Sequence, residues 1–445
     1  MRPESAPDPD DIDESGRPRA PLPIGHLLRI SAYWLGLTAV DFAVNLFIQY
    51  RLNFGGFVSD LEVGTATAVI GIGGATLGIV IQPTVGAISD FTVSRWGRRK
   101  PYIVIGTLLD VVFLVAIANA QTVLALAVFV LLLSFSTNLA RGPFQGYVPD
   151  LVPSRQVGMA SALVGLMQVL GNVTGAALVP LASTLGSLPL AIFAVGIVEL
   201  VTMVSVVYRV GNGRPPKPRE GRSWLAIARS AWATDILAEH SFLWLLVSRF
   251  FFLMGGGILV NLIVAYLKQS HGLIEAEANN ASFAVLAVVA ASNVVAVIPA
   301  ARLSDRIGRK PVIYASTAIA GVGTLIVAIA PDIPLMLLGG ALFGVGSGMF
   351  LAVDWALMTD IIPKASAGRY MGLSNVATGA STPFAVATGG ILLDVVNRLA
   401  GEIGPGPRAA YLLGVVYFLL AAWLLRRVVE PRRSAGQAEE RPESG

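Results

Sequence analysis

The sequence contains no cysteine in 445 residues and only three histidines. The first absence excludes disulfides and thiolate metal sites, and the second argues against a zinc centre. Charge is also scarce. Asp, Glu, Lys and Arg make up 13% of the chain, against about a quarter in ordinary soluble domains. The Gly-x-Gly clusters are no phosphate loop, because no strand precedes them and no P-loop lysine follows. No nucleophile elbow, metal-ligand cluster or nucleotide-binding domain is present, so the chain by itself is no ATP-driven pump. Neither a soluble enzyme nor any cofactor is implied.

What fills the sequence instead is hydrocarbon. Hydrophobic residues account for 54% of positions and mean hydropathy is +0.69. Runs of about 20 apolar residues, the length that crosses a bilayer at 1.5 Å per residue, recur along the whole chain. They place twelve spans at 28–52, 62–87, 101–120, 122–146, 157–180, 186–208, 241–267, 280–301, 311–330, 334–358, 367–393 and 408–426. Backbone groups find no water in hydrocarbon, so the spans are helices. Residues 1–27 and 427–445 read as polar, disordered tails, and the first 23 residues lack the apolar core of a signal peptide.

The basic residues test this scheme. Of 32 Lys and Arg, 26 fall in the seven segments that alternation puts on one side. Arg51, Lys268, Arg398 and Arg408 fall on the other, and Arg141 and Arg249 lie within spans. The positive-inside rule then places both termini in the cytoplasm of a cell-membrane protein. The loops are basic for that reason, so the net charge of +4 needs no nucleic-acid partner.

An internal repeat divides the chain. Residues 86–101, GAISDFTVSRWGRRKP, match 301–311, ARLSDRIGRKP, with five extra residues in the first copy. Pro101 and Pro311 are therefore 210 apart, and so are Asp150-Leu-Val-Pro153 and Asp360-Ile-Ile-Pro363. Two motifs in one register define a six-span half over 28–208, a basic linker over 209–240 and a second half over 241–426. The fold class is an all-α membrane protein of twelve transmembrane helices in two six-helix halves.

The Ser-Asp, Gly-Arg and Lys signature after spans two and eight resembles the loop motif of the major facilitator superfamily. The longer version Gln82-Pro83, Ser89-Asp90 and 94–101 (SRWGRRKP), with Gly142-Pro143 and Asp150-Leu151, is similar to that of sucrose transporters and glycoside–cation symporters. The resemblance implies the major facilitator fold and a sugar as small-molecule substrate, with a proton as coupling ion. Gating is expected at Gly86, Asp90, Arg95, Gly97, Arg98 and Asp150, and in the second copy at Asp305, Gly308, Arg309 and Asp360. Carboxylates at a helix exit can pair with neighbouring cations or favour a helix N-terminus, and such contacts can break when the conformation changes.

Polar residues at helical spacing mark the candidate pathway. Span one carries Trp34, Thr38, Asp41, Asn45 and Gln49, and span four carries Ser134, Asn138, Arg141 and Gln145. Span five adds Gln168 and Asn172. Such stripes face either a cavity or another helix, because lipid offers them no partner. Asp41, mid-span, is the candidate proton carrier. Arg141 and Arg249 are candidate counter-ions or donors to substrate oxygens, and Asp354 with Trp355 is expected to face the same cavity from the second half. Asp110 and Glu199 read as structural, paired with each other or with a neighbour.

Three functions compete. The extended loop favours proton-coupled uptake of a sugar or glycoside. Gln145, standing where the sucrose-transporter group has a basic residue, favours a proton-driven exporter of drugs or metabolites. A non-transporting membrane scaffold is the third, and the polar stripes argue against it.

Overall fold

The computed structural model describes residues 20–153, 156–184, 187–211, 216–230, 240–361 and 367–429. The described residues form helices and no strand. The first half comprises α1 (Ile24–Phe54), α2 (Val63–Ser89), α3 (Lys100–Ala118), α4 (Val123–Gln145), the short α5 (Tyr147–Leu151), α6 (Val157–Thr184) and α7 (Leu188–Arg209). A short α8 (Trp224–Ser230) follows in the linker. The second half comprises α9 (His240–Asn261), α10 (Ile263–His271), α11 (Glu275–Ile307), α12 (Arg309–Ile329), α13 (Ile333–Ile361), α14 (Ala367–Ala400) and α15 (Pro405–Leu425).

Eleven of these helices are long and apolar enough to cross a membrane, and α6 adds the apolar stretch Leu163–Ala177. The twelve expected spans are thereby accounted for. Local signals set several ends. Proline occupies the first turn of α3, α7 and α15, where its missing N–H costs nothing. Thr122 caps α4 by accepting from Ala125 N at 3.1 Å. Gly272 ends α10 in the left-handed conformation at φ +67°.

Span seven departs from expectation. It breaks at Leu262 (φ −113°, ψ 12°), dividing α9 from α10. The break leaves a first-turn N–H without a helical partner, and Gln49 of α1 supplies one by accepting from Val264 N at 3.2 Å. Helices α5 and α8 were not expected. Helix α11 has 33 residues and α14 has 34, about 50 Å each against about 30 Å of hydrocarbon, so both tilt or project beyond it.

The two halves pack by the same plan. The first long helix of each half lies against the fifth and sixth, α1 on α6 and α7, α9 on α14 and α15. The fourth lies against the second and third, α4 on α2 and α3, α13 on α11 and α12. Contact between the halves runs mainly along α2–α14 and α6–α11.

The described ends of the chain share one face with the basic loops. Leu22 exchanges two hydrogen bonds with the Gln156 side chain, at 2.8 and 2.9 Å, and Lys310 reaches Val428 O at 2.6 Å. At the opposite face the halves are fastened together. Lys268 pairs with Asp60 at 2.6 Å and donates to Asn53 O, and Tyr50 meets Ser282 at 3.0 Å. Asp394 of α14 caps the N-terminus of α2, accepting from Gly64 N at 3.0 Å and from Thr65 N and Oγ1 at 2.5 and 2.6 Å. Leu46 and Tyr50 of α1 accordingly belong to the hydrophobic core of the second half.

Candidate functional site: a polar cavity between the halves

Below that fastened face a cavity of about 1020 Å³ extends to Asp90, Arg99 and Gln145 at the basic face. Asp41, Asn45 and Gln49 of α1 form one wall, and Asn138 and Arg141 of α4 another. Thr378 and Thr382 of α14, with Asn261 of α9, face them from the second half. A side cavity of about 430 Å³ shares Asp41, Asn45, Gln49 and Asn261 and adds Asn172, Phe252, Phe343 and Asn293.

At the centre Asp41 pairs with Arg141 across α1 and α4. The Asp41 side chain keeps 43% of its surface open and Arg141 keeps 19%, so the acid faces the cavity and the arginine is the more enclosed partner. Three asparagines along the walls bond back to their own helices. Asn45 donates to Asp41 O at 2.8 Å, Asn138 to Ser134 O at 2.7 Å and Asn261 to Gly257 O at 2.8 Å. Each is held at one amide hydrogen and retains further polar capacity for the cavity.

Not every residue of the polar stripes reaches this space. Thr38 donates to Gln168 O at 3.2 Å and lies where a Cβ on Gly171 would come within 1.9 Å of its hydroxyl. It joins α1 to α6 rather than lining either cavity. Trp34 packs its ring on Phe144 at 5.7 Å, in the core of the first half. Gln168 lines neither cavity. Arg249 and Asp354 meet at 2.6 Å, 4% and 1% exposed, within the second half and away from both cavities. Trp355 lies outside the cavities as well, 40% exposed, with the Arg249 guanidinium 5.3 Å from its ring centre.

Sequence reading passed over Asn261, Asn293, Phe252 and Phe343. Asn293 donates to Ser347 Oγ at 2.8 Å, tying α11 to α13 at the side cavity. Single asparagines and phenylalanines in an apolar run carry no periodic signal, which is why they were missed.

The signature loop forms a closed ionic cluster. Asp90 takes Arg99 at 2.9 Å, Arg98 at 3.5 Å and Lys217 of the linker at 3.1 Å. Asp150 takes Arg98 and, at 2.8 Å, the Nε of Arg99. Arg99 also donates to Pro143 O at 2.8 Å, and a Cβ on Gly146 would sit 1.7 Å from its guanidinium. The Gly-Pro and Asp-Leu elements of the sequence thus meet around one arginine. Gly97 turns the loop at φ +92°, and Gly308 does so in the second copy at φ +98°. A Cβ on Gly86 would make ordinary contact with Gly142 O at 3.5 Å. Arg95 is exposed and lies over Trp96, outside the cluster. In the second copy Asp305, near the end of α11, pairs with Arg309, the first residue of α12, at 3.0 Å. The Asp360 side chain lies outside the described residues.

A family model described as Major Facilitator Superfamily matches residues 27–292 and 245–444. The chain belongs to the Major Facilitator Superfamily. Among curated relatives, this superfamily member is 28% identical over 179 residues to sucrose transport protein SUT1 of Oryza sativa subsp. japonica. That match covers 35% of the chain and 32% of the rice protein. It is 25% identical over 194 residues to the minor myo-inositol transporter IolF of Bacillus subtilis, covering 43% and 40%. The matched stretches thus span less than half the length of these relatives. A crystal structure of a D-xylose–proton symporter superposes with a TM-score of 0.67 at 16% identity, over 92% of the chain and 98% of that protein. A bacterial homologue of the lysosomal transporter Spinster, in an inward-facing, occupied conformation, gives 0.69 at 14%, over 90% and 96%. At such identities the superfamily fold is what is shared.

Proposed function

We propose that this superfamily member takes up a sugar or glycoside together with a proton, by alternating access across the cell membrane. The observation that carries the reading is the Asp41–Arg141 pair, open to a cavity of about 1020 Å³ lined by amides and hydroxyls. Hydroxyl-rich substrates both donate and accept, and Asn45, Gln49, Asn138, Thr378 and Thr382 can do either in return. A proton on Asp41 would cancel its charge and free the fork of Arg141 for substrate oxygens. Loss of that proton would draw Arg141 back. The names of the sucrose, myo-inositol and D-xylose–proton relatives support a polyol or sugar cargo.

The basic loops beside the cavity mouth support a cytoplasmic mouth and cytoplasmic termini, which makes this conformation inward-open. In the outward-open form the halves would part at α2–α14 and close at the signature loops. Gly97 and Gly308 set the loop turns, while Asp90, Asp150, Arg98 and Asp305–Arg309 hold or exchange the ion pairs. A second reading, export of apolar drugs or metabolites, is favoured by the side cavity with Phe252 and Phe343.

Counterflow of labelled sucrose or maltose into proteoliposomes, with and without a pH gradient, tests the proposal. Sugar exchange that becomes accumulation under an inward proton gradient is the expected result. Absence of sugar flux together with gradient-driven dye efflux would replace uptake by export.

A further inference from the structure

Among the described residues the first half has two hydrophobic cores, one built from Val40, Phe47, Leu114, Leu126 and Val130, the other from Tyr33, Ile103, Ala140, Phe144 and Met203. Between them, at mid-length of α3 and α7, lies a polar layer centred on Asp110 and Glu199, both 0% exposed. Helices approach unusually closely here. A Cβ on Gly36 of α1 would lie 2.8 Å from the Cα of Glu199, and one on Gly106 of α3 would lie 2.7 Å from Ser136 O of α4.

Asp110 of α3 and Glu199 of α7 lie in this one layer, on helices packed against each other and close enough for each charge to act on the other. Donors surround the pair on its other sides. Thr137 donates to Asp110 Oδ1 at 3.0 Å, Ser136 donates to the same oxygen, and Tyr33 OH donates to Glu199 Oε1 at 3.2 Å. Asp110 Oδ2 and Glu199 Oε2 are buried and face no N–H or O–H at all. Among the described residues no Lys, Arg or His forms an ion pair with either acid. The charged groups that act on the pair from neighbouring elements are Asp41 of α1 and, through Asp110, Arg141 of α4.

Two ionised carboxylates this close would repel in low dielectric, with each unsatisfied oxygen adding its own desolvation cost. A single shared proton removes the repulsion and satisfies both orphaned atoms. We propose that Asp110 and Glu199 hold one proton between them and so form a second proton-binding site, set behind the Asp41–Arg141 pair and in exchange with the cavity through Thr137. Thr137 both lines the cavity and donates to Asp110. Its hydroxyl can pass its proton to the carboxylate while its oxygen accepts another from cavity water, so no charge is stranded on the threonine. Departure of the shared proton leaves two negative charges that compete with Asp41 for Arg141. The site therefore deepens the reading of a proton-coupled carrier, on which its role in coupling rests.

The test is infrared spectroscopy of the full chain in lipid nanodiscs at neutral pH, which needs no transport. A protonated-carboxyl stretch is expected in the parent protein. It should persist in Asp41→Asn, move in Asp110→Asn and in Glu199→Gln, and disappear in the double variant. Transfer into heavy water should shift the band, several-fold more slowly in Thr137→Val. A parent spectrum without the band would overturn the proposal whatever the variants do, and so would a band unaltered by the double substitution. Unchanged exchange in Thr137→Val would overturn the route. Sugar counterflow, measured on the same parent protein, reports separately on the uptake reading.

Discussion

Arg249 of α9 closes on Asp354 of α13 at 2.6 Å, and the two helices are the first and fourth of their half. In the other half the first and fourth helices, α1 and α4, carry Asp41 and Arg141 as a pair with acid and base exchanged. The repeat thus keeps one ion pair at one helix crossing in each half, open to water in the first and sealed in the second. The sealed pair also leaves Asp354 Oδ1 and Arg249 Nε without partners. Breaking one partner strands a buried charge, so Asp354→Asn should cost about 3–5 kcal/mol. Thermal unfolding in detergent is the measurement. Replacing both partners together, as Arg249→Met with Asp354→Leu, should restore most of the loss.

The open pair should behave oppositely. Asp41 keeps 43% of its side-chain surface open to the cavity, and a solvent-facing ion pair contributes about 0–1 kcal/mol to stability. Asp41→Asn should leave the unfolding midpoint nearly unchanged. It should abolish proton-driven sugar accumulation while sparing counterflow, because exchange needs a substrate site and not a titrating carboxylate. Accumulation equal to that of the parent would remove Asp41 from proton coupling.

How much of this was legible beforehand follows from the range of each interaction. Spans and halves depend on hydrophobic length and a repeat register, both of which are properties of the chain read in order. The Asp41, Asn45, Gln49 wall was readable for the same reason, since one helix face repeats in sequence. Trp34 and Thr38 shared that face and yet turned into helix contacts, because α6 and α4 cover the end of α1 where they sit. The Asp394 cap on α2 was invisible. It joins residues 329 and 330 positions apart, and an aspartate near a helix end otherwise looks like a surface group. Asp110 and Glu199 were readable as acids inside spans, but the two orphaned oxygens that give them chemistry exist only in three dimensions.

Closure of the face opposite the basic loops depends on backbone contact between α2 and α14. A Cβ on Gly64 would meet Gly390 O at 2.0 Å, and one on Gly390 would meet Gly64 O at 2.4 Å. Neither backbone can yield without moving its helix, so Gly64→Ala should weaken the closed face by about 1–3 kcal/mol. Each 1.4 kcal/mol corresponds to about tenfold in the ratio of open to closed forms. Because the chain has no cysteine, a single Thr67→Cys reporter in the cavity gives a clean readout. Its labelling by an impermeant maleimide from outside should accelerate when Gly64→Ala is added. Equal rates would show that α2 and α14 part without relieving this contact.

The same face carries a titrating group. His271, at the end of α10, sits with its ring 5.1 Å from that of Tyr266 and its Nε2 buried without a partner. Burial foremost, and then the charge of Arg408, hold its pKa below the ordinary 6.5, with Asp332 pulling the other way. A base whose pKa is lowered by folding is protonated more readily in the unfolded chain. Its contribution to stability is therefore complete above the unfolded pKa of 6.5 and is lost as pH falls from there through the folded value. Thermal unfolding followed from about pH 7.5 down to about pH 5.5, a window spanning the ordinary imidazole pKa, should show a falling midpoint. His271→Gln, which cannot titrate, should flatten that part of the profile. A slope identical in parent and variant would assign the acid sensitivity to carboxylates instead.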